Sequence, residues 1–332
     1  MQLYLAPLHG VTNRVFRSVY LRRFPGFDAA FAPFILSVAA GGITERHLKD
    51  LLPDARYPVP LVPQILGKDA AGFVATAEAI AGLGYTEVNW NLGCPYPMVA
   101  GKGRGSGLLP HPDRIAAFLD EVCPRLSIPL SVKLRLGMRD RGEILRLMPL
   151  LNGYPLKEVI IHARLGVQMY KGDVDLEGFE RAAALCGHPV AYNGDIADAA
   201  GLEALRSRFP GVTRWMIGRG ALADPFLCGR IAGRPEDADP LGAVAAFHDE
   251  LYASYREILS GPGHALAKMK EVWTYLGPSM VGADAALAAI SRSKTFPAYE
   301  SAVAAAFSGG SWKPSAERSS LARAPAVAAA RA

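Results

Sequence analysis

Cysteine is scarce in this sequence, with four residues among 332, and they lie far apart: Cys94, Cys123, Cys186 and Cys228. No C-x-x-C pair is present, so the sequence shows neither a recognisable zinc site nor the framework of a disulfide-stabilised secreted domain. We therefore expect no bound metal and a reducing compartment.

Long apolar runs are also missing from the sequence. No uninterrupted apolar stretch reaches the ~18 residues that a membrane-spanning helix needs. The segment from Met1 to Gly10 lacks the basic stretch followed by an apolar one that begins a secretion signal. These two absences predict a cytoplasmic protein with no membrane partner.

The chain has only a small excess of charge of one sign, with 36 Lys and Arg, 31 Asp and Glu, and a formal net charge of +5. This excess permits a polyanionic partner without requiring one, because a solvated surface of mixed charge is its commoner meaning. Half of the residues are hydrophobic and 20% are charged, which excludes a disordered or fibrous chain. The composition predicts a globular protein with ample material for a core.

Short apolar runs of strand length recur through the first two thirds of the chain. They are Leu3 to Ala6, Ala29 to Ile35, Leu61 to Ile65, Glu87 to Asn91, Leu130 to Leu134, Val159 to Ile161, Val190 to Tyr192, and Trp215 to Ile217. Segments with helical periodicity separate most of them, which predicts βαβ crossovers and a parallel sheet. The predicted fold is an α/β (β/α)8 TIM barrel over residues 1–235. A doubly wound sheet is the alternative, but the Gly-x-Gly-x-x-Gly turn expected after its first strand is absent after Ala6.

The pattern changes at about Pro240, where strand signals disappear and helical periodicity continues. The predicted helices are Leu241 to Leu259, Ala265 to Leu276, Ala283 to Ser291, and Tyr299 to Phe307. The turn-rich residues 233–240 predict a boundary between the barrel and a C-terminal all-helical domain over residues 240–310. Residues 313–332, which are rich in Ala, Ser, Pro and Arg, are predicted to form a disordered tail.

Nearly every apolar run ends in a polar or conformationally special residue. In a (β/α)8 barrel, the carboxyl ends of all strands converge on one mouth, where active sites are built. The residues at these ends are Pro7, Gln64, Asn91, Cys94, Lys133, Arg135, His162, Arg164, Asn193, Asp195, and Gly218 to Gly220. Any one of them alone is most simply a loop residue, but their recurrence predicts a site at the mouth.

Two glycine-bearing turns follow the last two predicted strands, Asn193-Gly194-Asp195 and Gly218-Arg219-Gly220. Barrels frequently bind phosphate at this place with loop N–H groups and a short helix, here expected to begin near Asp224. The Arg219 guanidinium adds a cation. The alternative is that the turns need glycine for steric reasons alone. We interpret them as the phosphate site of a cofactor.

Lys133 interrupts the apolar strand from Ser131 to Leu134. An uncompensated ammonium group is costly to bury, so the side chain is expected to point into the mouth toward an electron-rich group. A flavin suits this need because its reduced ring carries negative charge around N1 and O2, which a cation stabilises. The alternative is a lysine that reaches water from the tip of a strand.

The most specific segment runs from Asn91 to Pro95 and is followed by glycine-rich residues 99–109, which include Lys102 and Arg104. Glycines and cations in a loop over a barrel mouth predict a mobile lid that closes on an anionic substrate. Cys94 lies at the root of this loop. A cysteine is mostly protonated at neutral pH, so Cys94 is a candidate general acid. The other three cysteines are interpreted as small apolar residues.

Together these segments resemble the tRNA-dihydrouridine synthases. The resemblance runs in order over about residues 3–230 and is carried by Ala6-Pro7, Gly10-Val11-Thr12, Phe16-Arg17, Gln64, Asn91 to Pro95, Val132 to Arg135, His162-Ala163-Arg164, Asn193 to Ile196, and Gly218 to Gly220. Residues 268–276 are similar to the helical domain of that family. The resemblance implies a barrel that binds FMN, uses NADPH as reductant and reduces uridine in tRNA to 5,6-dihydrouridine.

The same resemblance implies residue roles, with hydride transferred to C6 of the uracil and Cys94 protonating C5. The residues implied for FMN are Pro7, Leu8, His9, Gln64, Lys133, His162, Asn193, Gly194, Asp195, Gly218 and Arg219. The residues implied for the RNA substrate are Asn91, Lys102, Arg104, Arg135, Arg164, Lys268 and Lys270. Departures from the family pattern flank the substrate and leave open which uridine is reduced and in which RNA; they are His9, Asn13, Ala100, Ala163 and Leu165.

Two other functions remain open at the level of the sequence. The Asn-x-x-Cys-Pro string is also similar to that of dihydroorotate and dihydropyrimidine dehydrogenases, flavin barrels that act on a free pyrimidine and need neither a helical domain nor a cationic lid. The second is an RNA-binding protein whose barrel has no turnover, against which Cys94 and Lys133 argue. The sequence does not fix the oligomeric state, and we expect a monomer.

Overall fold

The apolar runs of the sequence form parallel strands in the computed structural model, which describes residues 1–39, 41–52 and 57–313. Residues 314–332 of the predicted tail lie outside this range. The strands are β1 (Gln2–Leu5), β2 (Ala29–Phe31), β3 (Ile35–Leu36), β4 (Leu61–Val62), β5 (Gln64–Leu66), β6 (Val88–Leu92), β7 (Leu130–Gly137), β8 (Leu156–Leu165), β9 (Val190–Asn193) and β10 (Arg214–Ile217).

The hydrogen-bonded order of these strands is β3-β5-β6-β7-β8-β9-β10-β1-β2-β4. Only Pro63 separates β4 from β5, and proline has no N–H with which to continue a ladder. The two ends of this order are β3 and β4. β4 continues into β5 through Pro63, and β2 pairs with β4 while β3 pairs with β5, so β3 and β4 lie next to each other in one interrupted pair of strands. The sheet therefore closes, and the predicted (β/α)8 barrel is confirmed.

Helices lie between the strands and continue beyond the barrel. They are α1 (Arg14–Arg23), α2 (Glu45–Leu48), α3 (Ala70–Gly82), α4 (Pro97–Ala100), α5 (Pro112–Val122), α6 (Gly142–Leu151), α7 (Leu176–Leu185), α8 (Ala199–Arg208), α9 (Arg219–Ala223), α10 (Leu227–Ile231), α11 (Pro240–Ile258), α12 (Gly261–Leu276), α13 (Asp284–Arg292) and α14 (Phe296–Gly309). Short 3₁₀ helices cover Gly105–Leu108, Cys123–Arg125 and Gly277–Ser279.

Several helices begin at a side chain that caps their first turn. Asp69, Asp175, Asp198 and Asp239 each accept a hydrogen bond from the backbone N–H of a glycine three residues later. Such caps satisfy a backbone donor that has no partner within the helix. The recurring Asp-x-x-Gly pattern thus marks where α3, α7, α8 and α11 begin.

The barrel has two apolar layers of unequal size. The larger one lies between strands and helices and includes Trp90 of β6, which stacks on Phe118 of α5 at 4.0 Å between ring centroids. The smaller one lies inside the barrel and includes Tyr4, Phe31, Ile160 and Met216. Because side chains alternate along each strand, the remaining inward positions are left for polar residues. These polar positions extend toward the carboxyl ends of the strands.

The predicted helical region is present and packs on the barrel through Phe247 of α11. The Phe247 ring makes edge contacts with Phe16 of α1 at 5.7 Å and with Phe24, the residue after α1, at 5.3 Å. The prediction that strands are absent beyond Pro240 is wrong in one place, because β11 (Met280–Val281) and β12 (Ser311–Trp312) form an antiparallel pair. Two-residue strands leave no periodicity in a sequence, so this pair is set by tertiary contacts. An independent domain over residues 240–310 stays a prediction.

Candidate active site

One cavity opens at the carboxyl ends of the barrel strands, and we call it the mouth. All of the residues predicted to hold a cofactor line it: Pro7, Leu8, His9, Gln64, Lys133, His162, Asn193, Gly194, Asp195, Gly218 and Arg219. Asn91, Cys94 and Arg135 line the same cavity. The fold therefore brings these residues of seven different barrel strands together, with β4 and β5 counted as one interrupted strand, while their individual roles stay predictions.

Cys94 lies at the root of the loop that follows β6 and is 8% exposed. Its backbone N–H donates to Asn91 Oδ1 at 2.8 Å, and its carbonyl accepts hydrogen bonds from Ser106 N at 3.0 Å and Ser106 Oγ at 3.1 Å. Burial raises the pKa of the Cys94 thiol, against smaller opposing effects of a backbone hydrogen bond at Tyr96 and the charge of Arg135. The thiol is therefore protonated at neutral pH and can donate a proton.

Lys133 points from β7 into the mouth, where its Nζ donates to Asn193 Oδ1 at 2.8 Å. Burial, and to a smaller extent the charge of the neighbouring Arg135 guanidinium, lowers the pKa of Lys133 to about 7. An ammonium group in this position gains stability from any negative charge brought into the mouth. The Asn193 amide is oriented in turn, because its Nδ2 donates to the carbonyl of Met216 at 2.8 Å.

His162 is a neutral imidazole in this surrounding. Burial lowers its pKa well below the usual value, and the charges of Arg135, Lys133 and Arg164 act in the same direction. A neutral ring offers one N–H donor and one acceptor nitrogen. His162 therefore adds hydrogen-bonding capacity to the mouth without adding a further positive charge.

Asp195 is the carboxylate of the mouth, and two arginines hold it. Arg164 makes a two-pronged pair with it, with Nη1 at 2.9 Å from Oδ1 and Nη2 at 2.5 Å from Oδ2. Arg219 Nη2 donates to Oδ1 at 2.7 Å. Asp195 adopts the left-handed backbone conformation, with φ of 41°. Arg164 does not itself line the cavity, so the structure places it behind Asp195.

Tyr170 lines the mouth and is missing from the sequence-based prediction. Its ring lies 5.3 Å from the Arg135 guanidinium carbon and 5.7 Å from that of Arg219. Cations over an aromatic face are attracted to its π-electrons, so this ring orders two of the mouth's arginines. The residue sits in an irregular loop after β8, next to Met169 with φ of 53°, and no spacing in the sequence points to it.

The loop predicted to be a mobile lid forms two short helical segments, α4 and the 3₁₀ helix Gly105–Leu108. Ser106 at its centre is fully buried. The glycine at position 105 has φ of +55°, and a Cβ there would lie 2.6 Å from the Cys94 carbonyl oxygen. The glycines thus allow close packing rather than leaving a loose loop. Lys102 is exposed, and its carbonyl accepts a hydrogen bond from Lys68 Nζ at 2.8 Å.

A shallow depression beside this loop is lined by basic side chains. Lys68, Lys102, His111 and Arg114 contribute to its wall, together with small residues of the loop. No carboxylate lines it among the residues that the structure describes. We call these four residues the basic rim; Arg104 belongs to the same loop.

Lys268 and Lys270 lie on α12, outside the mouth, and both are half-buried. Lys268 Nζ donates to the Gly10 carbonyl at 2.6 Å and lies 3.3 Å from a carboxylate oxygen of Glu271. Lys270 Nζ donates to the Ser293 carbonyl. Each ammonium group is thus tied to another part of the chain. Their predicted role in RNA binding stays a prediction.

Residues 1–39, 41–52 and 57–313 contain neither a candidate metal site nor a candidate membrane-spanning helix. These residues contain no cluster of three or more histidine, cysteine, aspartate or glutamate side chains that could hold a metal ion. None of their helices has both the length and the apolar character needed to cross a membrane.

Comparison with known proteins gives a consistent result. The model of the family described as dihydrouridine synthase (Dus) matches residues 4–276. A probable tRNA-dihydrouridine synthase from Rhodobacter capsulatus is 28% identical over 267 residues, which cover 79% of this chain and 81% of the relative. A tRNA-dihydrouridine(16) synthase from Cupriavidus necator is 31% identical, with 76% of this chain and 82% of the relative covered.

Solved structures share the barrel at low sequence identity. The old yellow enzyme homologue from Zymomonas mobilis has a TM-score of 0.52 at 12% identity and covers 73% of this chain and 91% of that chain. Morphinone reductase in complex with tetrahydroNAD has a TM-score of 0.51 at 11% identity, with 71% and 88% covered. At such identities the likeness extends to the fold.

Proposed function

Because the chain belongs to the dihydrouridine synthase family, we propose that it is the oxidoreductase that reduces uridine in tRNA to 5,6-dihydrouridine, with bound FMN and with NADPH as reductant. Its relatives are named for tRNA and for this reaction. We propose that the enzyme is cytoplasmic, since its substrate is a cytoplasmic RNA. We also propose that it is a monomer.

One observation carries this proposal: a protonated thiol and an excess of cations share one cavity. Lys133, Arg135 and Arg219 line the mouth beside Asp195, the single carboxylate among the described residues that line it. Burying like charges together is unfavourable unless an anion joins them. A phosphate-bearing cofactor whose reduced ring is anionic supplies such an anion.

The residues of the mouth fit FMN. The Asn193–Asp195 and Gly218–Gly220 turns with Arg219 would hold its phosphate, as barrels commonly do at this place. Lys133 would stabilise the negative charge of its reduced ring, while Gln64, His162 and Asn193 offer hydrogen bonds. The buried side chains of Ala6 and Met216 give the same cavity an apolar wall for a ring.

The chemistry that FMN would supply, once held there and reduced by NADPH, is a hydride for C6 of the uracil. Cys94 donates its thiol proton to C5, so that the C5=C6 double bond takes up one hydride and one proton. The charges of Arg135 and Lys133 stabilise the thiolate that Cys94 becomes, since both act to lower its pKa. Asn91 fixes the Cys94 backbone through the Cys94 N–H.

The target uridine must leave its base stack to reach this mouth, as bases do in other enzymes that modify them. The basic rim (Lys68, Lys102, His111 and Arg114) lies beside the loop that carries Cys94, where the flanking backbone would pass. We propose that the rim and Arg104 contact phosphates of the RNA. Such contacts give affinity that falls with salt.

The test is nucleoside analysis of tRNA treated with the purified protein, FMN and NADPH. Unmodified tRNA should gain dihydrouridine, and tRNA from cells lacking the gene should have lost it at the same position. Free uridine and orotate, offered in the same assay, should not be reduced. Reduction of a free pyrimidine with unchanged tRNA would contradict the proposal and favour a free-pyrimidine dehydrogenase. RNA binding without any reduction would favour a non-catalytic protein.

A further inference from the structure

A line of buried polar side chains crosses the barrel interior from its amino-terminal end to the mouth. In order along the line they are Glu87, Ser131, Asn89, Gln64 and Asn91, and each is less than one tenth exposed. Strand register places them side by side, with Gln64 opposite Asn89 and Asn89 opposite Ser131. The line reaches the surface through Lys157, which pairs with Glu87.

Consecutive members of this line are hydrogen-bonded. Asn91 Nδ2 donates to Gln64 Oε1 at 2.6 Å, and Gln64 Nε2 donates to Asn89 Oδ1 at 2.7 Å. Asn89 Nδ2 donates to Ser131 Oγ at 2.9 Å, and the Ser131 hydroxyl donates to Glu87 Oε1 at 2.8 Å. Every donor therefore points toward Glu87. Hydrogen bonds aligned in one direction polarise and strengthen one another.

Both ends of the line require this direction. At one end, Asn91 Oδ1 accepts the backbone N–H groups of Gly93 and Cys94, which can only donate. At the other end, Ser131 faces a carboxylate, which accepts, so the serine oxygen is left to accept from Asn89. The three amide groups between these ends have no alternative orientation that keeps every bond.

This orientation decides what the mouth offers a ligand. The oxygens of Gln64 and Asn91 are already used, and one N–H of each amide is used as well. Among the described residues, the structure gives the second N–H of either amide no hydrogen bond, and both residues line the mouth. Each amide thus has one donor left for an acceptor atom there.

We propose that Glu87, acting through Ser131 and Asn89, is a positioning residue that fixes Gln64 and Asn91 with an N–H donor toward FMN. The inference rests on the proposed function for its ligand. Glu87, Ser131 and Asn89 do not line the mouth. A change at any of them can therefore affect flavin binding only through the hydrogen bonds that connect it to Gln64 and Asn91. The same line holds the backbone N–H of Cys94.

The test is the affinity of the flavin-free protein for FMN, measured by quenching of flavin fluorescence. Glu87→Leu removes the acceptor, whereas Glu87→Gln keeps an oxygen for Ser131. Ser131→Ala cuts the line with the loss of a single oxygen atom. Glu158→Leu is the matched control, because Glu158 is buried at the same end of the barrel but bonds to Tyr4 and Arg214 instead.

We expect Glu87→Leu and Ser131→Ala to weaken FMN binding about tenfold, the scale of a disrupted buried hydrogen bond. Glu87→Gln and Glu158→Leu should stay within about twofold of the parent, a change smaller than such a bond. The visible spectrum of bound flavin should shift in the first two variants only. Parental affinity in Ser131→Ala would overturn the inference, as would an equal loss in Glu158→Leu. If Glu87→Leu does not fold, Ser131→Ala alone tests whether the line positions Gln64 and Asn91. Failure of the parent protein to bind FMN would instead refute the proposed function.

Discussion

The two ends of the barrel interior both contain buried polar side chains, but their charges are arranged differently. At the amino-terminal end, Glu87 pairs with Lys157, and Glu158 lies 3.5 Å from Arg214. Cations and carboxylates there are equal in number among these four residues. At the mouth, Arg164 and Arg219 both pair with Asp195. Lys133 and Arg135 line the same cavity, and Asp195 is the one carboxylate among the described residues that line it.

This difference separates a structural polar cluster from a functional one. Balanced charges satisfy one another and need no ligand, whereas unbalanced ones lower the stability of the free protein until an anion binds. At the mouth, a hydrogen bond to Asn193 stabilises the Lys133 ammonium group, and the Tyr170 ring stabilises the Arg135 guanidinium. We therefore expect changes at the mouth to alter the chemistry and a change at Glu158 to alter stability. Glu87 is the exception at the amino-terminal end, because hydrogen bonds connect it through Ser131 and Asn89 to Gln64 at the mouth.

The largest effect is expected from Cys94→Ala at the mouth. Loss of a general acid should lower the rate of dihydrouridine formation by about 10²-fold or more. FMN content and NADPH oxidation should remain, because the thiol faces the substrate. Mass spectrometry of tRNA nucleosides measures the first and absorbance the other two. Cys123→Ala, outside the mouth, is the control, and an active Cys94→Ala variant would refute the assignment.

At the amino-terminal end, Glu158→Gln should change how stability depends on pH. Burial raises the pKa of Glu158 from 4.5 to about 7, with the neighbouring Glu87 adding to the effect. The folded state thus binds this proton more tightly than the unfolded state, so the stabilisation is complete below pH 4.5 and is lost as pH rises through 7.

Raising the pH from 4.5 to above 7 should therefore cost the parent about 2 kcal/mol more than the Gln variant, given about 1.4 kcal/mol for each unit of pKa and partial solvation. Urea unfolding at the two pH values measures the difference in the free energy of unfolding. Parallel changes in the two proteins would show that Glu158 is not titrating in this range.

Lys133→Met should affect cofactor and chemistry together. Removing the cation from the reduced flavin ring should weaken FMN retention and slow flavin reduction by NADPH, each by about tenfold. Visible absorbance of the purified variant and its rate of NADPH oxidation give the two values. A fully loaded variant with normal NADPH oxidation would mean that Lys133 contacts only substrate or serves the structure.

The smallest effects are expected from surface lysines. Lys68→Glu with Lys102→Glu should weaken tRNA binding about fivefold and reduce its salt dependence, because phosphate contacts release counterions. Lys268→Glu with Lys270→Glu should have a smaller effect, about twofold at most, because both ammonium groups are already bound to backbone carbonyls. Measuring tRNA affinity at two salt concentrations compares the two double variants. A larger loss of affinity in the Lys268/Lys270 variant would indicate that the RNA binds at α12.

The sequence predicts the barrel well because its strands are buried on both faces. Runs such as Leu130 to Leu134 are continuously apolar outside, and their polar members mark the inward face and the mouth. The strand ends consequently identify residues as distant in sequence as Pro7 and Arg219. A local sequence pattern is sufficient to predict where a residue lies when a single strand or helix determines its position.

Other features depend on contacts that no local pattern encodes. Tyr170 is placed by an irregular loop, and the partners of Lys268 and Lys270 come from other segments of the chain. The short helix expected near Asp224 is instead split into α9 and α10 on either side of it. The line from Glu87 to Asn91 joins three strands and is visible only in the closed barrel.

The most direct test of the account compares the binding of FMN and riboflavin to the flavin-free protein. Riboflavin carries the same ring but lacks the phosphate that the Asn193–Asp195 and Gly218–Gly220 turns and Arg219 are proposed to hold. We predict that FMN binds at least about tenfold more tightly than riboflavin, since a charge-assisted phosphate contact is worth about 1.5–3 kcal/mol. Equal affinity for the two, or binding of neither, would contradict the assignment of the mouth as a flavin phosphate site.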